Sequence, residues 1–297
     1  MNAREGMTVY FAMDEIGSDN VSRLRLLGDP DLIWSEIGQI AAGFGFQGIQ
    51  FTSSLYEQKL GLSLKRIPDL FGDFRLTYHI SGVRPLASSA DVLELEALLG
   101  DSLEIASRNR MEDVSFHPPR LAYPGDEAPA VRSLLKQILK RWLPRYADNG
   151  ITLSLESHSC GQFFVFDGLS EFSRFVSEMP ELGVLVDISH LWNDGNDAVH
   201  IALAFSNCRV TGLHVSDALS GVEVTKGTHL PIGEGEVDFA KILAPYAADD
   251  SVYAVFEVKA ESCRIKHGVE MLRRVVDCGA LDISAVVRRQ PSLAKDR

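Results

Sequence analysis

Short β-rich segments alternate with longer helical patterns along almost the whole chain, and this alternation constrains the fold more than any other feature. Eight segments have the length and residue types of strands, and they recur about every 30–40 residues. Several are apolar on both faces, which is typical of parallel strands that helices cover. The expected strands are Met7–Met13, Gly48–Ser53, Phe74–Ser81, Asp113–Pro119, Ile151–Ser157, Leu182–His190, Arg209–Asp217 and Ser251–Lys259.

Helical patterns lie between most of these strands. They run from about Asp31 to the residue before Gly43, over Ala90–Arg110, Ala128–Asp148, Leu169–Met179 and Ala198–Ser206, from Asp238 onward, and over Arg264–Val276. A chain of 297 residues is long for one ordinary domain but normal for a (β/α)8 barrel. We therefore predict an α/β fold with a single (β/α)8 TIM barrel over residues 1–297, with its core at about 7–279 and a C-terminal tail at about 280–297. An open, doubly wound sheet is the alternative, but no glycine-rich phosphate loop follows the first expected strand.

The charge balance limits the classes of partner. The chain has 29 Lys and Arg residues against 41 Asp and Glu residues, and a net charge of −12 argues against a broad basic surface for nucleic acid. No apolar run approaches the roughly 18 residues of a membrane span, and no signal peptide is readable. The four cysteines form no C-x-x-C pair, so they indicate neither a zinc finger nor a disulfide framework. We expect a cytoplasmic protein with a small-molecule substrate, and a homo-oligomer is compatible with the sequence.

Polar residues interrupt the apolar strands near their carboxyl ends, where a βα barrel has its active site. A single histidine there has an ordinary structural interpretation, and a single carboxylate can cap the next helix. So many together favour a divalent metal site, because imidazole and carboxylate are the ligands such ions prefer. The residues in question are His79, His117, Glu156, Asp187, His190, His214, Asp217 and Glu257, with His229 in the loop after the seventh expected strand.

Two spacings and one loop motif sharpen this prediction. Asp187-x-x-His190 is repeated in reverse order by His214-x-x-Asp217, and the segment HLPIGEGEVDF follows. With these motifs the chain resembles the xylose isomerase-like barrels, a superfamily of sugar phosphate isomerases and epimerases that also includes the endonuclease IV group. The resemblance covers about residues 7–279. It implies that one divalent metal is bound by Glu156, Asp187, His214 and Glu257.

Other segments resemble the endonuclease IV group in particular. LESHSCGQ follows the fifth expected strand as a similar glutamate-centred segment does in that group. The resemblance implies a second metal held by His79 and His117 that shares Glu156, and it matches His190 and His229 to two ligands of a third metal. The chain departs from that pattern at Gly227, where an aspartate is expected, and at Gly82, where an aromatic residue is expected. It departs from the epimerases in HVSDALSG, which lacks their arginine.

Three functions are compatible with these residues. The leading one is a metal-dependent isomerase or epimerase of a small sugar, sugar phosphate or polyol ketone, which works through an enediolate with Glu156 and Glu257 as base and acid. Mn²⁺, Zn²⁺, Co²⁺ or Mg²⁺ would fit such ligands, with one ion expected and two compatible with the histidines. The alternatives are a di-metal hydrolase, such as a phosphodiesterase or an endonuclease IV-like enzyme, that uses His79 and His117, and a barrel that binds a ligand without catalysis.

Several other residues have both a functional and an ordinary interpretation. Trp192 can wall the substrate pocket or simply pack, and Lys259 can contact an anionic substrate or be solvated at a strand end. His190, His229 and Asp217 are expected to bind substrate or support the ligands. A loop role is expected for His158 and Cys160, and surface or packing roles for His200 and His267.

Overall fold

Eight parallel strands form a closed barrel in which each strand pairs with its neighbours in sequence and the last pairs with the first. The computed structural model describes residues 10–13, 16–123, 127–161, 163–246, 251–258 and 260–277. The closed barrel confirms the predicted (β/α)8 architecture and excludes the open sheet. The strands are Tyr10–Met13 (β1), Gly48–Thr52 (β2), Arg75–Ile80 (β3), Asp113–Phe116 (β4), Thr152–Glu156 (β5), Gly183–Asp187 (β6), Arg209–Val215 (β7) and Tyr253–Phe256 (β8).

Helices surround the barrel, and their ends carry the expected local signals. The second helix begins at Pro30, where the Asp29 side chain caps it by accepting the Asp31 N–H at 2.9 Å, and it ends at Phe44, before Gly45 in the left-handed conformation. The helices are Ser18–Arg25 (α1), Pro30–Phe44 (α2), Ser89–Arg108 (α3), Ala128–Ala147 (α4), Leu169–Ser177 (α5), Ile188–Asn193 (α6), Ala198–Ala204 (α7), Val224–Gly227 (α8), Phe239–Leu243 (α9) and Ser262–Asp277 (α10). Within the described residues, no helix is long and apolar enough to cross a membrane.

The structure corrects the expected bounds at several positions. β6 ends at Asp187, so His190 lies in the short helix α6 and not on the strand. The Asp187 carboxylate causes this change, because it accepts the His190 N–H at 3.0 Å and so caps the new helix. After β2, where no helix had been assigned, the chain forms a π-helical turn at Ser54–Lys59 and short 3-10 turns at Leu64–Arg66 and Asp69–Phe71. Helix α1 was not expected.

A buried polar cluster lies inside the barrel near the amino-terminal ends of the strands. The Tyr253 hydroxyl donates to Asp113 Oδ1 at 2.7 Å, and the Ser154 hydroxyl donates to Asp113 Oδ2 at 2.5 Å. Burial raises the pKa of Asp113 to about 6, although these hydrogen bonds oppose the shift. Gly212 leaves room for the cluster, because a Cβ there would lie 2.5 Å from the Tyr253 ring. We call these residues, with Thr211, the floor of the barrel.

Side chains alternate along each strand, so the residues that face the barrel interior recur every second position. Leu185, Val255 and Tyr253 form a small buried apolar cluster of their own. Two residues beyond Leu185 and Val255 lie Asp187 and Glu257. Leu185 and Val255 therefore lie between the floor and the polar groups at the carboxyl ends of the strands.

Candidate metal centre

Acidic and imidazole groups from four consecutive strands converge at the carboxyl end of the barrel. One ligand atom each of Glu156, Asp187, His214 and Glu257 lies within 4.8 Å of the other three. Donors bound to one ion at about 2.0–2.3 Å are separated by up to about 4.6 Å, so this spacing suits a common ion. The structure brings together the four residues that the resemblance implies for one metal.

Glu156 lies at the middle of the centre and is 1 % exposed. Its Oε1 lies 2.9 Å from His214 Nδ1, and its Oε2 lies 3.0 Å from His117 Nε2. Burial disfavours the ionised form, but the imidazoles of His117 and His214 beside it hold the pKa of Glu156 well below its usual range. Glu156 is therefore placed to bind two cations, one through each carboxylate oxygen.

His214 is held on both ring nitrogens. Its Nδ1 lies 2.9 Å from Glu156 and 3.1 Å from Glu257 Oε2, while its Nε2 is hydrogen bonded to Gln50 Oε1 at 2.8 Å. Burial opposes protonation, but the two carboxylates raise the pKa of His214 well above its usual value. Gln50 fixes the ring so that Nδ1 faces the acidic groups, as outer-layer partners of metal-binding histidines do.

Asp187 uses one oxygen for structure and leaves the other for the centre. Oδ1 accepts the Ser189 hydroxyl at 2.9 Å and the His190 N–H at 3.0 Å. The Asp187 N–H donates to Ser157 Oγ at 2.8 Å, which fixes the end of β6. Because the cap holds the carboxylate in place, Oδ2 is presented to the other ligands in a fixed direction.

A second group consists of His79, His117 and Glu156, whose ligand atoms also lie within 4.8 Å of one another. His79 Nδ1 lies 3.1 Å from Ser115 Oγ and 3.5 Å from Glu156 Oε2. Burial lowers the pKa of His79 to about 3, so this imidazole is neutral and can bind a cation. The His117 side chain is 42 % exposed, which places it at the mouth of the barrel.

A third group consists of Asp187, His190 and His229. His190 Nδ1 is hydrogen bonded to Ser159 Oγ at 2.5 Å, and His190 Nε2 lies 3.7 Å from Asp187 Oδ2. His229 has a φ of 54°, a left-handed conformation that costs energy for a residue with a Cβ. Paired backbone hydrogen bonds between Leu230 and Asp217, at 2.8 and 2.9 Å, hold the loop in this conformation.

Packing accounts for the glycine at position 227, where the resemblance leads one to expect an aspartate. A Cβ on Gly227 would lie 2.6 Å from Asn193 Nδ2. Asn193 fills that space because it donates to Leu219 O and Val222 O at 2.7 and 2.9 Å. Asp187 therefore provides the carboxylate of the third group.

The donor set fits divalent cations. The buried side-chain atoms that have no hydrogen bond of acceptable geometry within the described residues include four atoms of the candidate ligands, although ring nitrogens lie near some of them. These four are Glu156 Oε2, Asp187 Oδ2, His229 Nδ1 and Glu257 Oε2. Buried carboxylate oxygens without donors are costly, and a bound cation would remove that cost. Imidazole nitrogens and carboxylate oxygens without thiolates suit Mn²⁺, Zn²⁺, Co²⁺ or Mg²⁺.

The remaining predicted residues have more varied positions. Asp217 accepts backbone N–H groups of Ala218, Gly233 and Val237 at 3.0, 2.8 and 3.1 Å, so its carboxylate organises the loop that carries His229. Trp192 is partly buried against the hydrophobic core. Lys259 lies outside the described residues. His200 and His267 are exposed.

His158 is more closely involved in the centre than its loop position indicated. Its ring stacks on His190 with centroids 4.5 Å apart and meets His117 edge-on at 5.1 Å. Burial, followed by the neighbouring imidazoles of His190 and His117, lowers the pKa of His158 to about 3. In the sequence, a role for His158 in the centre was indicated only by its position just after the strand that ends in Glu156. A role for Gln50 was indicated in a similar way, by an amide between the apolar residues Ile49 and Phe51 of β2.

The fold and the convergent ligands define a βα barrel with a candidate metal centre, and the comparison with known families agrees with this class. The profile of the family described as "Xylose isomerase-like TIM barrel" matches residues 39–275. The chain therefore belongs to this family. No curated protein matches the sequence.

Solved structures with the same fold share little sequence with this chain. A D-tagatose 3-epimerase-like protein has 17 % identity and a TM-score of 0.68, over 80 % of this chain and 91 % of the other. An IolI protein with a zinc atom has 11 % identity and a TM-score of 0.67, over 96 % and 100 %. Endonuclease IV from Thermus thermophilus has 16 % identity and a TM-score of 0.60, over 90 % and 98 %. At these identities the similarity shows the fold alone.

Proposed function

We propose that this protein is a divalent-metal-dependent isomerase or epimerase of a small sugar, sugar phosphate or related polyol ketone. One observation carries the proposal. Glu156 and Glu257 approach the same nitrogen, His214 Nδ1, at 2.9 and 3.1 Å. The two carboxylates therefore face one site, at which a single cation can bind both of them. Isomerisation and epimerisation need two such groups, because one removes a proton next to a carbonyl and another returns it.

The residues of the chain can divide these tasks. A divalent ion in the centre would polarise the substrate carbonyl and stabilise the negative charge that develops on its oxygen. One of the two glutamates takes the proton from the carbon beside the carbonyl, and the electron pair of the broken C–H bond gives an enediolate. The other glutamate takes up a proton from solvent and delivers it to the opposite face of the same carbon or to the adjacent carbon.

The comparisons support the same class of chemistry. Similar structures include a D-tagatose 3-epimerase-like protein, a 3-keto-D-glucoside 4-epimerase and a D-allulose 3-epimerase. The zinc atom in the similar IolI protein supports a metal in this family of barrels. The geometry of the candidate ligands in this chain supports the same assignment without reference to those similar proteins.

The test is a screen of ketoses and ketose phosphates with the Mn²⁺-loaded protein, followed by Glu156→Gln and Glu257→Gln. We expect each change to lower turnover at least about a hundredfold, the range for loss of a general acid or base. Glu104→Gln, on the exposed face of α3, is a matched control. Metal content is measured for every variant so that loss of the ion is separated from loss of the proton-transfer group. Full turnover in both glutamine variants would refute the mechanism.

A second candidate function is metal-assisted hydrolysis of a phosphodiester or similar bond. It is favoured by His117 Nε2, which lies 3.0 Å from Glu156 Oε2 and beside His79, because a one-metal epimerase does not need these histidines. Two ions that share Glu156 would activate a water between them. The similar endonuclease IV structure agrees with this candidate, while the net charge of −12 argues against a nucleic acid substrate.

Metal stoichiometry separates the two candidates. The isomerase requires one ion per chain, and its metal content and turnover should survive His117→Ala. The hydrolase requires two ions, and His117→Ala should remove one of them together with the activity. A barrel that only binds a ligand would bind metal yet leave every ketose and diester unchanged.

A further inference from the structure

An exposed arginine lies at the mouth of the barrel, in the loop that follows β4. Arg120 comes three residues after His117, and Pro118 and Pro119 separate the two. Proline fixes φ, so the position of the Arg120 backbone relative to His117 is strongly restricted. The arginine is thus attached by a stiff connection to a residue of the second ligand group.

The loop after β5 supports this arginine. Arg120 and Phe164 pair as an antiparallel β-bridge, and the Leu121 N–H donates to Phe163 O at 2.8 Å. The guanidinium carbon lies 5.0 Å from the centre of the Phe164 ring, within the range of a cation–π contact. The loops after β4 and β5, which both follow strands that lead to candidate ligands, therefore hold the Arg120 guanidinium between them.

Ring contacts continue from this position into the metal centre. The Phe164 ring lies 4.5 Å from the His158 ring, and His158 lies 4.5 Å from His190 and 5.1 Å from His117. Arg120 is therefore separated from the ligand histidines by two aromatic rings. A substrate that reaches from the centre to the mouth can pass along this wall.

The charge of Arg120 is available for a ligand. Within the part of the chain that the structure describes, Arg120 forms no ion pair, whereas nearby Arg132 is paired with Glu171 at 2.8 Å. The centre itself contributes Glu156, Asp187 and Glu257, which repel an anion until cations bind. A guanidinium at the mouth is suited to hold a phosphate by two parallel hydrogen bonds.

We propose that Arg120 binds the phosphate group of a phosphorylated sugar, which makes phosphate monoesters the preferred substrate class of the centre. This inference rests on the proposed function for the reacting end of the substrate. The phosphate lies at the mouth against Arg120 and Phe164, and the carbonyl end lies among the ligands. His158 and His190 form the wall between the two ends.

The test compares sorbitol 6-phosphate with sorbitol by calorimetric titration of the metal-loaded protein. Neither compound has a carbonyl group, so binding is measured without any turnover. We expect the wild type to bind the phosphate ester at least about tenfold more tightly, which corresponds to about 1.4 kcal/mol. Arg120→Gln should abolish most of this preference. Lys140→Gln, at an exposed position on α4, removes the same charge and should preserve it.

Arg120→Met is the second variant, because its unbranched side chain keeps apolar contact with Phe164 if Arg120→Gln disturbs the loop. The proposal is overturned if the wild type does not distinguish the two polyols. It is also overturned if both Arg120 variants retain the full preference, since the phosphate would then be bound by the metal or another cation.

The experiments distinguish failure of the Arg120 proposal from failure of the catalytic proposal. A phosphate preference that depends on Arg120, without turnover of any ketose phosphate, would support the binding subsite and contradict the isomerase. Turnover of unphosphorylated ketoses, without a phosphate preference, would support the isomerase and overturn the role of Arg120.

Discussion

Replacement of Asp113 by asparagine should give a variant whose stability relative to the wild type rises with pH. Asp113 is 2 % exposed in the floor of the barrel, where it accepts hydrogen bonds from Tyr253 and Ser154. Burial raises its pKa from 3.8 to about 6. The folded state therefore favours the neutral acid, and the stabilisation present below the unfolded pKa is lost as the pH rises through about 6.

The size of the effect follows from the shift. A difference of about two pKa units corresponds to about 3 kcal/mol, of which about 2.5 kcal/mol should develop between pH 4 and pH 8. Asparagine has nearly the same shape and remains neutral, so its stability relative to the wild type should rise by about this amount over that interval. The lost carboxylate hydrogen bonds lower the absolute stability of the variant at every pH but not its pH dependence.

The assay is urea unfolding of the metal-free protein at several values of pH, with stability expressed as the difference between variant and wild type. Taking the difference removes the contribution of the other titrating groups. Asp101→Asn, at an exposed position on α3, serves as the control and should give a flat difference. A flat difference for Asp113→Asn as well would refute the argument that this buried carboxylate resists ionisation.

Three further predictions concern the centre and its supports. Gln50→Leu removes the partner of His214 Nε2 and should weaken metal binding about 10–100-fold, as measured by competition with a chromophoric chelator; unchanged affinity would contradict the positioning role. Gly227→Asp should lower the free energy of unfolding by about 1–3 kcal/mol because its Cβ would meet Asn193 Nδ2 at 2.6 Å, and adding Asn193→Ala should cost less than the sum of the two changes. Removal of the metal by a chelator should lower the melting temperature, since an ion at 100 times its Kd stabilises the folded state by about 2.7 kcal/mol. An equal melting temperature with and without Mn²⁺ would contradict binding of the ion to the folded protein.

The barrel could be predicted from the sequence because its signal is local. Each apolar strand and each amphipathic helix shows its own periodicity, and the ends of parallel strands must meet at one rim. The same reasoning located the histidines and carboxylates at the strand ends, because polar residues there are conspicuous among apolar ones, while the family resemblance selected Glu156, Asp187, His214 and Glu257 from them as ligands of one ion. Local patterns were therefore sufficient for the fold and for the position of the site, whereas the choice of the four ligands needed the resemblance.

Features that depend on packing between distant segments were missed. Gln50 contacts His214 across 164 residues of sequence, and no pattern in β2 indicates which strand its amide will face. His158 stacks on His190 because of the way the loops after β5 and β6 pack together. The end of β6 was missed because the Asp187 side chain acts both as a helix cap and as a candidate ligand.

X-ray anomalous scattering from crystals of the Mn²⁺-loaded protein tests the central claim most directly. The account predicts a peak within about 2.0–2.3 Å of carboxylate oxygens of Glu156, Asp187 and Glu257 and of His214 Nδ1. A protein that takes up no Mn²⁺ at this position, or that holds its only ion away from these four side chains, would contradict the claim.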